Sequence, residues 1–310
     1  MSETRMDGCR ARAFALSMLL MIATYLGVER SHAADDIPEW RKPWYQEQAP
    51  FRIFGNTYYV GTRGLSAILI TSDAGHVLID GTLPDTASLV AKSIRALGFR
   101  VEDIELIVNS HTHSDHAGGI AELQRLSGAS VVASAEAARA MERGRGERND
   151  PQYELGDTIP PIDKVRVVRD RETLRVGKTE ITVHYTPGHT PGGTSWTWTS
   201  CEGERCANMV YADSVTAVSD DSFKFSGDAR YPSILADFEN TLRTIESLPC
   251  DILIAPHPEA VDLWSRLARR EAGSKDGFMD RGACKAYAQA GRQRLHARVE
   301  REKAQQHQQP

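Results

Sequence analysis

Three histidines and one aspartate lie within six consecutive positions of the stretch VNSHTHSDHAGG, residues 108–119. The chain has ten histidines among its 310 residues, so this concentration indicates either a metal site or a polar loop that happens to be rich in histidine. Alternate side chains of an extended segment share one side, so His111 and His113 can reach the same ion. Asp115 and His116 follow after the chain turns and can face a second position. Neutral imidazole together with carboxylate suits Zn²⁺.

Two more histidines stand in turns that follow strand-like segments. His189 lies in TPGHTPGG, and His257 lies in IAPHPEA after the apolar segment DILI. A single histidine in a loop is usually solvated, but three strand ends that each deliver histidine are far more specific for a metal site. We therefore predict one centre built from all three segments. The remaining histidines are interpreted as solvated or structural: His32, His76, His184, His296 and His307.

The segments that carry these side chains alternate between strand and helix patterns. The runs NTYYVGT, LSAILIT, GHVLIDG and IELIVNS are short, rich in β-branched residues and bounded by turn residues, as strands are. DTASLVAKSIRALG and HAGGIAELQRLSG predict helices that end in glycine. Further strands are predicted for KVRVV, TEITVHY, TSWTWT, NMVYAD and DILIAP, and a helix is predicted for ILADFENTLRTIESL. Each half is strand-rich and then helical, which predicts an α/β fold, a four-layer sandwich with two sheets face to face and helices outside.

Two segments lack this regularity. Residues 144–161, GRGERNDPQYELGDTIPP, have no sustained periodicity and predict a long loop, which in a compact protein is often functional. The C-terminal RQRLHARVEREKAQQHQQP is locally basic and then polar, and it predicts a solvated helix that frays into a tail. The net charge of −5 provides no basic surface for nucleic acid.

The first residues have the pattern of a secretory signal. Three arginines precede the apolar run AFALSMLLMIATYLGV, and small residues follow in SHAADD. The apolar run is shorter than the roughly 20 residues that a membrane-spanning helix needs. A signal peptide of residues 1–33 is therefore predicted rather than an anchor. Residues 34–310 would then form a single domain, exported to the periplasm as a monomer without a membrane anchor.

Export affects the interpretation of the cysteines. Cys9 would leave with the signal, so an even number remains in an oxidising compartment. Pairing nearest neighbours gives Cys201–Cys206 and Cys250–Cys284. The alternative is free thiols or a zinc–thiolate site, but neither pair has the close C-x-x-C spacing of such a site. Disulfides are therefore predicted.

The motifs HTHSDH, PGH and PHP resemble those of the metallo-β-lactamase superfamily, and the likeness runs over nearly all of the mature chain. In detail the chain resembles the third subclass of class B β-lactamases, the exported di-zinc group. Three stretches carry this closer likeness: PFRIFGNTYYVGTRGLSAILITSDAGHVLIDGT, GHTPGGTSWTWTSCEGERC and MVYADSVTAVSDDSF. The superfamily motifs are specific for fold and metals but not for the substrate. YADSVTA and the paired cysteines favour β-lactams.

The resemblance implies two Zn²⁺ ions per chain. The first would be held by His111, His113 and His189, and the second by Asp115, His116 and His257. Asp80, in LIDG, matches a superfamily aspartate and is interpreted as an acceptor that orients a ligand histidine. An ordinary turn aspartate before a glycine is the alternative.

A β-lactam also has a carboxylate that the protein should bind. The resemblance implies Ser214 and Thr216 for this role, and Thr216 stands where some relatives have serine. The alternative for Ser214 is a hydrogen bond to a zinc-bound water. Gln152, in the long loop, is a further candidate contact. Asp220 stands where some relatives have a tyrosine that could support the oxyanion, so this chain departs from the pattern at that position.

The implied reaction is hydrolysis of the amide bond of penicillins, cephalosporins or carbapenems. Two zinc ions that share a water make hydroxide available at neutral pH. The hypothesis is that this hydroxide attacks the lactam carbonyl, that metal polarises the developing oxyanion, and that the second zinc accepts the amide nitrogen. Asp115 would orient the nucleophile as well as bind zinc.

Two other functions are open at this point. Many relatives use an aspartate that bridges both metals from a position near YADS, and a one-residue shift in register would exchange the roles of Asp213 and Ser214. If Asp213 bridges the metals, a hydrolase of thioesters, lactones or phosphoesters is favoured. The other alternative is a non-catalytic zinc-binding protein. Three protein ligands per metal argue against it, because structural zinc sites normally have four.

Overall fold

Two sheets form the centre of the part of the chain that this computed structural model describes, residues 37–220 and 222–306. The first sheet has seven strands in chain order: β1 Phe51–Phe54, β2 Thr57–Tyr59, β3 Ile68–Ser72, β4 Gly75–Ile79, β5 Ile104–Val108, β6 Ser130–Ala133 and β7 Arg166–Val167. The second has the order β12, β11, β10, β9, β8: β8 Thr173–Val176, β9 Thr179–Tyr185, β10 Thr194–Glu202, β11 Arg205–Tyr211 and β12 Ile252–Ile254. Strands β1 to β4 pair antiparallel, β4 to β7 pair parallel, and β12 lies parallel to β11.

Both faces of the central strands of the first sheet, β3 to β6, are largely buried, which explains their continuous apolar runs. In β4, Val77 and Ile79 belong to the core that also contains side chains of the second sheet. Leu78, between them, belongs to the other core, which the helices cover. Successive side chains of a strand point to opposite faces, so a strand buried on both sides must be apolar at every position.

Eight α-helices in the described residues complete the sandwich: α1 Lys42–Tyr45, α2 Ala87–Ala96, α3 Ser114–Ala117, α4 Ile120–Ser127, α5 Ala135–Arg143, α6 Ile234–Ser247, α7 Leu263–Glu271 and α8 Ala283–Gln306. Helices α2, α4 and α5 bury apolar side chains against the outer face of the first sheet. Helices α6 and α8 pack on each other and contribute Phe238, Leu242 and Leu295 to the core of the second sheet. The predicted α/β sandwich of two sheets with helices outside is confirmed.

Some elements differ from the sequence-based expectation. Strands β1 and β8 are short and were not predicted as separate elements. The predicted solvated C-terminal helix is wrong for one face of α8, where Leu295 and Val299 are buried and Glu302 is 2% exposed. Charged residues between the buried positions mask their helical spacing, so the sequence of α8 reads as polar.

The chain divides into two units, Met1–Glu39 and Trp40–Pro310, and every strand of the described residues lies in the second. The predicted signal segment, with Cys9 and His32, lies outside the described residues, as does His307. None of the helices in the described part of the chain is both long enough and apolar enough to span a bilayer.

Two disulfides have the pairing that the sequence predicts. Cys201 and Cys206 face each other across the β10–β11 hairpin, where they are a register pair. Cys250 and Cys284 are 34 positions apart and join the segment before β12 to the first turn of α8. The second disulfide therefore ties the last helix to the strand that precedes His257.

We predict that replacing Cys250 and Cys284 together with serine lowers the unfolding midpoint more than the same replacement of Cys201 and Cys206. In the chain-entropy model the longer loop contributes roughly 3–4 kcal/mol and the shorter one about 2 kcal/mol. Thermal unfolding of both double variants under oxidising conditions measures the difference. An equal loss in the two variants, or free thiols at Cys250 and Cys284 in exported protein, would contradict the prediction.

Candidate metal centre

The candidate centre lies where three strands end. His111, His113, Asp115 and His116 follow β5, while His189 follows β9 and His257 follows β12. The chain that leaves β5 is fixed to the other sheet, because Asn109 accepts hydrogen bonds through its carbonyl from Thr194 Oγ1 at 2.6 Å and Trp196 Nε1 at 2.8 Å. Both sheets thus hold the first ligand segment in place.

The segment after the first ligands, at Gly119, packs closely against the loop after β4; these two backbone segments are called the floor of the centre. A Cβ added at Gly119 would lie 2.2 Å from the carbonyl oxygen of Gly81, closer than real Cβ atoms approach. Gly119 also donates a backbone hydrogen bond to Thr82 at 2.9 Å. The absence of a side chain at Gly119 therefore lets α3 and α4 sit directly against the loop after β4.

His111, His113 and His189 form the first ligand set. One ligand atom of each lies within 4.8 Å of the others, and all of them are buried. Their rings are nearly perpendicular to one another, with centroids 4.7–4.9 Å apart. Nε2 of His111 is buried without a hydrogen-bond partner among the described residues. A buried ring nitrogen with no partner costs free energy, and a metal ion would satisfy it.

Asp115, His116 and His257, the second set that the resemblance implies, also lie close together. Asp115 Oδ2 lies 3.1 Å from His116 Nε2 and 3.4 Å from His257 Nε2, and the two nitrogens are 3.3 Å apart. Tetrahedral ligands about 2.1 Å from a zinc ion lie about 3.4 Å from one another, so these donors fit Zn²⁺. His111 also lies within 4.8 Å of Asp115 and His116, so the two sets adjoin.

Each histidine of the first set has a fixed partner on the nitrogen that points away from the centre. His111 Nδ1 lies 2.8 Å from Asp213 Oδ1, and His189 Nδ1 donates to the carbonyl of Thr216 at 2.8 Å. His113 Nε2 lies 3.4 Å from Asp150 Oδ1. Such partners fix the tautomer and ring orientation of a metal ligand.

Burial and neighbouring charges together set the pKa values of the candidate ligands. It lowers the pKa of His111, lowers that of His189 to about 3 and lowers that of His257 to about 4, and neighbouring imidazoles add to each effect. These three histidines are therefore in the neutral form that binds metal. Burial alone would lower the pKa of His113, but the Asp150 carboxylate raises it. Burial alone would raise the pKa of Asp115, but His116 and His257 hold it well below its usual range, so the carboxylate is ionised.

Asp213 lies behind His111 rather than between the two ligand sets. Its side chain is fully buried, and Oδ1 accepts from Ser214 N at 2.7 Å as well as contacting His111. Its backbone N donates to Ser195 Oγ at 2.9 Å, and its carbonyl accepts from Tyr287 at 3.0 Å. Asp213 is not among the residues that line the cavity over the ligands. The register therefore places the Asp213 carboxyl against His111 and leaves it out of the cavity lining.

Asp80 does not have the contact that the sequence suggested. Its Oδ1 accepts from Ser110 N at 2.6 Å, and its Oδ2 accepts from Ser110 Oγ at 2.8 Å and from Tyr211 at 2.6 Å. No ligand histidine bonds directly to it among the described residues. Asp80 has a positive φ of 62°, which is uncommon outside glycine although aspartate tolerates it better than most residues. It acts on His111 only through Ser110, and Asp213 is the direct partner.

A cavity of about 360 Å³ opens over both ligand sets. Thr216 and Gln152, which the sequence proposes as substrate contacts, line it, but Ser214 does not. Asp220 does not line it either, and its Oδ1 accepts from the backbone N–H groups of Ser222 at 2.6 Å and Phe223 at 3.1 Å.

Several side chains at the centre were not found from the sequence. Asp150, the partner of His113, lies in the long loop among other charged residues, and nothing in its spacing marks it. Further lining residues are Trp40, Arg41, Trp44, Leu155 and Val218. The one available signal was the pair of tryptophans in EWRKPWY, because the whole chain has five. Of the other histidines, His184 bonds Thr197 and His296 bonds Glu239, outside the centre.

Comparison with known proteins places this site in a family context. A family model described as the metallo-beta-lactamase superfamily matches residues 60–276. The solved structure of Rm3 metallo-beta-lactamase is 53% identical, covers 86% of this chain and 99% of its own, and superposes with a TM-score of 0.84. MEM-A1, a subclass B3 metallo-beta-lactamase isolated from a soil metagenome library, is 48% identical over 84% of this chain and 99% of its own, with a TM-score of 0.83.

Curated relatives are more distant. Hydroxyacylglutathione hydrolase of Cereibacter sphaeroides is 28% identical over 180 residues, which are 56% of this chain and 55% of that protein. The hydroxyacylglutathione hydrolase of Methylobacterium nodulans is 32% identical over 103 residues, which are 33% of this chain and 31% of that protein. The chain thus spans about a third to about half of the length of these curated relatives.

We predict that His189→Ala and His257→Ala affect different metal positions. His189→Ala removes a donor from the first set and should weaken the metal position that contains His111, whereas His257→Ala should weaken the position that contains Asp115. Zinc titration against a competing chelator, with spectroscopic Co²⁺ substitution to distinguish the positions, measures both affinities. Equal loss at both positions in each variant would contradict the division into two sets.

We predict that Asp213→Ala weakens zinc binding at the first set roughly 10- to 100-fold, the usual cost of losing a partner of a ligand histidine. Asp213→Asn is the matched control, since its amide oxygen can still accept from His111 and Ser214, and its loss should be smaller. The same chelator competition measures both variants. A comparable loss at both metal positions would mean that Asp213 bridges the metals.

Proposed function

The chain belongs to the metallo-β-lactamase superfamily, and we propose that it is a zinc-dependent hydrolase that opens the amide bond of β-lactam antibiotics. The observation that carries the proposal is the position of Asp213. Its carboxylate is held by His111 and Ser214 and does not reach the second ligand set. The register that would favour a thioester, lactone or phosphoester hydrolase is therefore not the one this chain adopts. The high identity to the B3 metallo-beta-lactamases supports the same choice.

We propose that two Zn²⁺ ions bind, one at each ligand set. Three protein donors per ion leave a coordination position open, as in catalytic zinc sites, whereas structural sites are closed by four. When bound, zinc supplies a hydrolytic nucleophile at neutral pH and polarises the carbonyl that is attacked. These open positions argue against a purely structural zinc-binding protein.

The chain's own residues have separate roles in this proposal. Asp115 is ionised, so it can bind metal and also accept a hydrogen bond that orients the attacking water. The Thr216 hydroxyl and the Gln152 amide line the cavity as neutral hydrogen-bonding groups for the substrate. Ser214 lies deeper, and its backbone N–H is bound to Asp213.

An apolar rim accommodates the substrate side chain. Trp40 is 66% exposed, Leu155 59% and Val218 46%, and all of them line the cavity. Large exposed apolar side chains that gather at one opening indicate a binding surface. We propose that this rim binds the variable side chain of the antibiotic.

We also propose that the protein works in the periplasm as a monomer after removal of residues 1–33 as a signal peptide. The disulfides support this location, because they persist in oxidising compartments and are rare in the reducing cytosol.

We predict that purified protein loaded with zinc hydrolyses β-lactams and that a chelator abolishes this activity until Zn²⁺ is added back. Loss of lactam absorbance for a penicillin, a cephalosporin and a carbapenem measures the rate, with a glutathione thioester assayed in parallel. The thioester should be hydrolysed far more slowly, because Asp213 does not face the centre. Full activity in metal-stripped protein, or a thioester rate above all of the lactam rates, would overturn the proposal.

A further inference from the structure

Two separate stretches of chain contribute exposed side chains to the opening of the cavity, and one buried aspartate contacts both stretches. The long loop contributes Gln152 and Leu155, while the segment after β11 contributes Thr216 and Val218. Asp220 follows Val218 by two residues and is only 9% exposed. A buried carboxyl group needs polar partners, and those of Asp220 lie on both sides of the opening.

The Asp220 carboxyl first fixes the turn in which it lies. Its Oδ1 accepts from Ser222 N at 2.6 Å and from Phe223 N at 3.1 Å. An aspartate that accepts from backbone N–H groups two and three residues ahead stabilises a turn. On the preceding side, Ser219 Oγ donates to the Asp220 carbonyl at 2.9 Å and accepts from Arg298 of α8 at 2.8 Å. The turn is therefore attached to the last helix.

Asp220 also contacts one short turn of the long loop near both of its ends. Its backbone N donates to the Pro151 carbonyl at 3.2 Å. Its Oδ2 is buried without a direct hydrogen-bond partner among the described residues. Burial alone would raise the pKa of Asp220, but hydrogen bonds within its own turn and the nearby Glu154 N–H lower it. Pro151 and Glu154 enclose Gln152 and precede Leu155, so Asp220 holds the turn that carries both cavity residues.

The start of the same turn is attached to the metal centre. Asp150 Oδ1 accepts from Gln152 N at 2.8 Å and lies 3.4 Å from His113 Nε2. Leu155 donates its backbone N–H to the Gln152 carbonyl at 3.0 Å, and it is 59% exposed. The position of Leu155 therefore follows the position of the turn, which depends on Asp150 at one side and on Asp220 at the other.

Leu155 and Val218 belong to the rim that is proposed to bind the acyl side chain of the antibiotic. The distance between these two residues limits the size of the side chain that contacts both. We propose that Asp220 is a positioning residue that holds the long loop against the segment after β11 and so determines which acyl side chains fit. This assignment rests on the proposed β-lactamase function. Asp220 acts from outside the cavity, through backbone contacts, and touches no substrate atom.

The test compares benzylpenicillin with 6-aminopenicillanic acid, which has the same rings and carboxylate but no acyl side chain. In the zinc-loaded enzyme, Asp220→Ala should raise KM for benzylpenicillin roughly 5- to 30-fold, the range for losing one or two hydrogen bonds to a charged group. KM for 6-aminopenicillanic acid and kcat for both compounds should change little. Asp220→Asn should keep most of the wild-type behaviour, because its amide oxygen can still accept from Ser222 and Phe223.

Amide hydrogen exchange of the zinc-loaded protein without substrate gives a measure that is independent of catalysis. Asp220→Ala should increase the exchange rate at residues 152–156, because the turn loses one of its two attachments. Asp220→Asn should show a smaller increase. The zinc content of both variants should equal that of the wild type, since Asp220 contacts none of the candidate ligands among the described residues.

Asp228→Ala is the matched control. Asp228 lies in the same connection between β11 and α6 and also accepts from backbone N–H groups, those of Arg230 at 2.9 Å and Lys224 at 3.2 Å. In the described part of the chain, none of its hydrogen bonds reaches the long loop. This variant should leave KM for both penicillins and the exchange at residues 152–156 unchanged.

The remaining outcomes contradict either the assignment or the proposed function. Equal increases in KM for the two penicillins, or an unchanged KM for benzylpenicillin, would overturn the role of Asp220 in side-chain selection. Unchanged exchange at residues 152–156, loss of zinc from Asp220→Ala, or the same effects in Asp228→Ala would overturn it as well. Wild-type protein that hydrolyses no β-lactam refutes the proposed function instead, and the exchange measurement then still tests whether Asp220 holds the long loop.

Discussion

The contact between His111 Nδ1 and Asp213 Oδ1, at 2.8 Å, joins the end of β5 in one sheet to the end of β11 in the other. Both side chains are almost completely buried, so water cannot replace either partner. Asp213 Oδ1 contacts the imidazole and accepts from Ser214 N, whereas Oδ2 is buried without a partner among the described residues, and burial raises the pKa of this carboxyl well above its usual value. Together with the hydrogen bonds that the Asn109 carbonyl accepts from Thr194 and Trp196, this contact holds the first ligand segment against the second sheet.

Helix α8 holds the same segment from the other side. Tyr287 donates to the carbonyl of Asp213 at 3.0 Å, Arg298 donates to Ser219 Oγ at 2.8 Å, and Glu302 accepts from Ser226 N at 2.7 Å. The segment that contributes Thr216 and Val218 to the cavity is therefore supported by the last helix. This explains why Glu302 is buried although it is charged: it pairs with Arg298 and satisfies a backbone N–H.

The sequence predicts a site residue well when its type suits metal binding and it stands at the end of a recognisable strand. The histidines follow apolar strands, and a strand buried on both faces must end where the chain turns polar, so IELIVNS and DILIAP locate the ligands. What the sequence could not decide was register. Asp213 and Ser214 are adjacent, and a shift of one residue reverses which of them faces His111. From the sequence, Asp80 is an equally reasonable partner for a ligand histidine, but in the structure its carboxylate accepts from Ser110 instead. Asp150 lies in the long loop and Arg41 ends a single 3-10 turn before α1, so neither has a periodic pattern that indicates its direction. Only the folded chain brings them to the site.

The packing at Gly119 has a consequence for how such an enzyme can diversify. Any larger residue there collides with the backbone at Gly81, so the floor beneath the ligands accepts almost no sequence change. Leu155 and Val218 line the opening of the cavity, and their side chains are exposed rather than packed against the backbone at Gly119. Residues at the opening can therefore be replaced without moving the side chains that would bind the metal. Substitutions at Leu155 or Val218 should therefore change the opening of the cavity, whereas the backbone contact at Gly119 leaves no room for a side chain.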